Sequence, residues 1–378
     1  MAILHSFAAM LIRELSLFHF RNYSEAGFSF EEGLNCFAGK NGSGKTNVLD
    51  AIHYLCLTRS FFHVQDVLNK QLGAEMMLVK GVFDKNGSEE VITCGINQNS
   101  RKVLKCNGKE YDRMADHIGR FPVVMIVPSQ INLIYEGSEE RRRLLDMAIS
   151  QTNKQYLDDL MRYNKALEQR NRQLKQFGQG RDFDRELLHI WEKTLVDTAQ
   201  RICVVRQQYV SETSAIFQEQ YGIISNNAEH TEIIYQSELL NASLVDLLEQ
   251  NLSKDLVLQR TTSGIHKDDL LFNINGNPLK KFGSQGQQKS FIVALKLAEY
   301  AYLAKHSGIQ PLLLLDDIFE KIDSFRAVAL LRMLDESKFG QVFITDTDME
   351  RLQKALEHNR VKKRFFLIDE GNVVILEK

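Results

Sequence analysis

The chain has 378 residues, 44% hydrophobic and 25% charged, with a formal net charge of −2. That length suits two packed units, and the composition is that of an ordinary globular protein rather than a disordered or membrane-spanning one. The five cysteines (Cys36, Cys56, Cys94, Cys106, Cys203) are odd in number and lack C-x-x-C spacing, which argues against a disulfide frame or zinc site and for a reducing cytoplasm.

Residues 1–9 form an apolar extension with no assigned role and no signal-peptide pattern. Leu11–Phe30 alternates apolar and polar residues around Arg21-Asn22-Tyr23, which predicts a hairpin. Gly33–Ala38 reads as a strand entering a glycine-rich loop, and Asn47–Leu57 has helical apolar spacing. Strands are expected near Met77–Phe83, Glu90–Ile96 and Lys102–Lys105, with turns at Asn86-Gly87 and Asn107-Gly108. Phe121–Val127 is a further strand, ended by Pro128.

From about Glu139 to Gln176 there is neither proline nor glycine, and apolar residues recur at Tyr156, Leu160, Tyr163, Leu167 and Leu174. Gly178-Gln179-Gly180 interrupts this run. A second run follows through Leu187, Trp191, Leu195, Thr198, Ile202, Val205 and Tyr209. The pair reads as an antiparallel helical hairpin, each arm about 50 Å long at 1.5 Å per residue. Beyond about Asp255 the α/β character returns. Leu270–Ile274 is a strand, Gly286–Lys305 a helix, Pro311–Asp316 a buried strand, Ser324–Asp335 a helix and Gln341–Thr345 another buried strand. The expected division is therefore 1–133, 134–255 and 256–378, with the helical middle inserted into one α/β unit.

Gly39-Lys40-Asn41-Gly42-Ser43-Gly44-Lys45-Thr46 fits G-x-x-x-x-G-K-[ST] at every fixed position. Glycines let successive N–H groups face phosphate oxygens, Lys45 neutralises the β- and γ-phosphates, and the Thr46 hydroxyl is a Mg²⁺ ligand. A strand before the loop and a helix after it make a chance match improbable, so ATP is the expected ligand. Leu312–Leu315 followed by Asp316-Asp317 is an apolar strand ending in two acids. Asp316 is expected to hold Mg²⁺ through water, and Asp317 to orient or deprotonate the attacking water. The long interval from Lys45 to Asp316 implies a large insertion. Between them, Ser284-Gln285-Gly286-Gln287-Gln288 opens a helix; it is either an anion-binding turn or a plain N-cap with Ser284 as the cap.

Phosphate loop, S-Q-G-Q-Q and L-L-L-L-D-D, in that order, resemble the ABC/SMC class of P-loop ATPase heads. The detail resembles the RecF family of bacterial recombination mediators. It is carried by Leu17–Tyr23, Leu49–Leu55 with Arg59-Ser60-Phe61, Gly137–Asp146, Arg170-Asn171 and Gly264–Asp269, and runs from Leu11 almost to the end.

The resemblance implies an α/β head with an inserted helical second lobe. It also implies a homodimer closed by ATP, in which Ser284, Gly286 and Gln287 of one copy meet the γ-phosphate held by the other. Arg21 and Asn22 would touch the nucleotide, and Asp323 would be the D-loop aspartate. Partners implied are duplex DNA or single-strand/duplex junctions, with RecO and RecR, in loading RecA during gap repair and the SOS response; hydrolysis would be slow and no membrane involved. Asp317 replaces the glutamate common in the class. Thr345-Asp346-Thr347-Asp348 stands where a switch histidine is usual, Ile265 replaces a proline, and Gln130 is left unassigned. Alternatives are another SMC-like clamp, one with nuclease activity included, or an ABC-type energising subunit.

Several conspicuous residues have blander readings. Arg141–Arg143 are expected to form an ion-paired helix face rather than a DNA contact. His266-Lys267-Asp268-Asp269 is expected to make local hydrogen bonds, and Trp191 to be core. Arg170, Arg172, Lys175 and Arg181 near the arm's tip are a candidate DNA or partner contact.

Overall fold

The computed structural model describes residues 8–180, 182–318, 339–357 and 359–376. It divides into two compact units. The first is assembled from Met1–Gln130, Gln220–Ala228 and Gln285–Lys378, the second from Ile131–Glu219 and Glu229–Ser284. Residues 256–284, expected with the α/β unit, thus fall in the helical one. The cause is local pairing: the strand at Asp269–Ile274 is antiparallel to an additional strand at Thr231–Gln236.

Two six-stranded sheets build the first unit. One has the order β2-β1-β4-β5-β6-β7, from β1 (Met10–Phe20), β2 (Tyr23–Ser29), β4 (Met77–Lys85), β5 (Ser88–Ile96), β6 (Lys102–Cys106) and β7 (Lys109–Glu110). All its pairs are antiparallel. Its Asn-Gly turns have positive φ at both central residues, 54° and 80° at Asn86-Gly87 and 50° and 80° at Asn107-Gly108. That geometry matches the twist of the flanking strands.

The other sheet has the order β15-β14-β3-β13-β12-β8. Its strands are β3 (Leu34–Ala38), β8 (Val123–Ile126), β12 (Leu312–Leu315), β13 (Val342–Asp346), β14 (Lys363–Asp369) and β15 (Asn372–Leu376). All are parallel except the edge strand β15. β3, β8, β12 and β13 are buried at every position, as parallel strands covered on both faces must be. Phe37 of β3 stacks on Phe366 at 4.8 Å, and Phe30 meets Phe343 edge-on at 5.0 Å.

The helix Lys45–Leu57 touches β4 and β5 of one sheet and β8 and β13 of the other. Enclosed in this way, it buries all but Thr46 and Asn47 of its residues. Gln341 joins the sheets directly. Its amide donates to the Ile12 and Glu31 carbonyls at 2.9 and 2.7 Å and accepts from the Ile12 N–H at 2.8 Å, where β1 breaks register. The helix Gln285–Ser307 packs on β8.

In the second unit the first arm is not one helix. It divides into Ser138–Ser150 and Lys154–Gly178. Asn153 caps the latter, its side chain accepting the Tyr156 N–H at 2.9 Å, which gives the backbone a stable stop without proline or glycine. The second arm is the helix Arg185–Ser225. Its buried stripe runs Leu188, Glu192, Leu195, Ala199, Ile202, Arg206, Tyr209, so Leu187, Trp191 and Val205 are only half-buried. Two positions of the stripe are ionic. Arg170, fully buried, meets Glu192 at 3.1 Å and Asp255 at 2.7 Å; it is no surface contact. Arg206 meets Asp268 at 2.7 Å and Asp146 at 2.8 Å. The small sheet completes the unit in the order β11 (Asn277–Pro278), β10 (Asp269–Ile274), β9 (Thr231–Gln236).

Candidate nucleotide site

β3 delivers the chain into Gly39–Thr46 at the carboxyl end of the parallel sheet, where ligands bind in folds of this kind. The loop's glycines are dictated by closeness. A Cβ on Gly39 would lie 2.2 Å from the Ile368 carbonyl, and one on Gly44, at φ 117°, would lie 2.6 Å from Asn22 Nδ2. The helix that follows has no side-chain cap and no acid in its first turn, which keeps its positive end available to an anion. Lys45 is buried, and its ammonium curls onto the loop's own carbonyls, Gly39 at 2.7 Å and Lys40 at 3.0 Å. Lys40, Asn41 and Gly42 are exposed, whereas Ser43 is buried with its hydroxyl unpartnered.

β12 ends beside the loop. Asp316 Oδ1 accepts from the Thr46 hydroxyl at 2.9 Å and from Thr345 at 2.8 Å. Burial pushes the Asp316 carboxyl above the usual carboxylate range; the two hydroxyls oppose this and neighbouring Asp317 adds to it. A buried acid beside the Thr46 hydroxyl suits Mg²⁺, which takes few protein ligands and completes its octahedron with phosphate and water. When bound, the ion would neutralise charge on the phosphates. Asp317 is half-buried at φ 44°.

Asn22 and Tyr23 brace the loop from below. Asn22 Nδ2 donates to the Ser43 carbonyl at 2.9 Å, and the Tyr23 hydroxyl to the Gly44 carbonyl at 3.0 Å. Tyr23 belongs to the Arg21-Asn22-Tyr23 turn and the resemblance segment Leu17–Tyr23, but nothing in its local pattern marks it as a loop brace. Arg21 is committed to buried Asp50 and to Ser60 Oγ, the latter at 2.9 Å. Gln130, unassigned from sequence, follows β8, whose neighbour β12 leads to Asp316; its side chain accepts the Val127 N–H at 3.0 Å.

Ser284 is exposed immediately before the helix Gln285–Ser307, with Gly286 and Gln287 half-buried in its first turn. Asp323, the expected helix Ser324–Asp335 and Arg181 lie outside the described residues.

In the second unit, Arg141 forms a two-pronged pair with Asp269 at 2.6 and 3.0 Å. Arg142 binds the Asp268 carbonyl at 2.7 Å and Arg143 binds Glu140 at 3.3 Å. His266 shares a hydrogen bond with Tyr163 at 2.8 Å, and burial lowers its pKa to about 4. These groups are structural ties, as their sequence context indicated.

Fold and loop geometry together define a P-loop ATPase head of the ABC/SMC class. A family model described as RecF/RecN/SMC N terminal domain matches residues 11–366. The chain belongs to the RecF family. It is 44% identical to the DNA replication and repair protein RecF of Flavobacterium johnsoniae over 357 residues, covering 94% of this chain and 99% of that one. It is 41% identical to the protein of the same name from Cytophaga hutchinsonii, covering 96% of each. The solved structure of the recombination mediator protein RecF-ATP in the RecFOR pathway is 31% identical, with a TM-score of 0.88 and full coverage of both chains. The Smc head domain of Pyrococcus furiosus, 18% identical with a TM-score of 0.58 over 97% of this chain and 96% of that one, shares the fold.

Proposed function

We propose that this chain is an ATP-gated DNA-binding protein of DNA replication, recombinational gap repair and the SOS response, acting in the cytoplasm on the nucleoid. ATP sits on Gly39–Thr46, with Lys45 against its β- and γ-phosphates. Thr46 and Asp316 hold Mg²⁺, and Asp317 orients the attacking water in a slow hydrolysis. The observation that carries the reading is the 2.9 Å bond between Thr46 and Asp316, which lie 270 positions apart and meet at the end of one sheet. Ser284, Gly286 and Gln287 of a second copy reach the same phosphates, so that ATP closes a dimer on duplex DNA or on single-strand/duplex junctions. RecO and RecR are the partners in loading RecA. Sizing the chain with and without Mg-ATP, alone and on gapped duplex, tests this reading. ATP-dependent dimers retained on DNA in a salt-sensitive way support it, and a chain that stays monomeric and unbound with ATP refutes it.

A further inference from the structure

Thr345 stands on β13, between β3, which leads into the phosphate loop, and β12, which ends in Asp316. It is fully buried. Its oxygen accepts the Asp317 N–H at 2.8 Å and lies 2.8 Å from Asp316 Oδ1 and 3.4 Å from Asp317 Oδ1. A hydroxyl has one hydrogen to give. With the Asp317 N–H on one lone pair, that hydrogen goes to the nearer acceptor, Asp316. Thr46 donates to the same Oδ1 at 2.9 Å, so two hydroxyls, one from β13 and one from the helix after β3, hold one carboxylate oxygen. The Asp317 backbone, at φ 44°, occupies a region that costs a non-glycine residue energy and persists only where its surroundings hold it. The bond from its N–H to Thr345 is such a hold.

We infer that Thr345 is the positioning residue of the acidic pair: one hydroxyl sets the direction of the Asp316 carboxylate and pins the backbone turn that aims Asp317. This rests on reading the site as a centre of ATP hydrolysis. Valine matches threonine in shape without the hydroxyl, and serine keeps the hydroxyl without the methyl, so the pair separates hydrogen bonding from packing.

In the nucleotide-free full chain, Thr345→Val should speed hydrogen exchange at the Asp317 amide by about tenfold or more, and Thr345→Ser should leave it protected. Under single turnover with Mg-ATP, the valine variant should lose roughly 10- to 100-fold in hydrolysis rate while its ATP affinity changes less than about threefold. The serine variant should recover to within about threefold of the parent. A valine variant with the parent's exchange and rate overturns the inference, as does a serine variant as slow as valine. If the parent itself fails to bind ATP, the nucleotide reading falls, while the exchange measurement still decides whether Thr345 holds Asp317.

Discussion

In the proposed reading, nucleotide binding turns on Lys45. Its ammonium reaches two carbonyls of its own loop, so it is already poised over the hollow that phosphates would fill. Lys45→Ala should weaken ATP binding by about 100-fold or more, the worth of one or two charge-assisted hydrogen bonds. Thermal stability should change little, because the loop's own backbone ties and the Asn22 and Tyr23 braces remain. Calorimetric titration measures the first and a melting scan the second; near-parental affinity would contradict the loop assignment. Much of this site is legible in the sequence because a phosphate loop is a local motif. Asp316 becomes legible once that loop is known. Thr345 and Tyr23 are not, since their partners lie 21 or more positions away in the chain.

Among the helices and strands, the parallel core is readable because strands buried on both faces are plain apolar runs. The helical arms are harder, for they place charge where apolar periodicity expects hydrophobic residues. Glu192 and Arg206 occupy stripe positions, so a hydrophobic pattern drifts to Leu187, Trp191 and Val205. The same ions make the arms sensitive. Arg206→Leu would strand Asp268 in the interior without its cation, and should cost about 3–5 kcal/mol, read as a lower urea midpoint. A loss below about 1 kcal/mol would mean that water reaches Asp268.

Three histidines, His53 and His117 buried and His266 half-buried, contribute to the pH response. Burial holds His53, His117 and His266 near a pKa of about 4, against about 6.5 in an unfolded chain. The unfolded state therefore takes up protons first. Their contribution is fully present above about pH 6.5 and declines as pH falls towards 4, by up to about 1.4 kcal/mol per pH unit for each. Urea unfolding at pH 7.5 and 5.5 should show the drop, and equal midpoints would refute it.

At the scale of the whole molecule, the exposed Ser284 at the head of its helix is the point where a second copy would be felt. Ser284→Arg adds bulk and charge there, and should abolish ATP-driven dimers while leaving nucleotide affinity within about threefold. Light scattering with Mg-ATP decides it; persistent dimers would place the contact elsewhere. The order of strands in the parallel sheet has a further consequence, for biogenesis. β3 finds its hydrogen-bonding neighbours only in β13 and β14, near the other terminus. A ribosome adding about 5–20 residues per second would leave that strand waiting roughly 15–60 s. Until then both its edges are bare. The nascent polypeptide is thus most prone to aggregate during translation, and its dependence on chaperones should follow the time taken to translate the helical insertion.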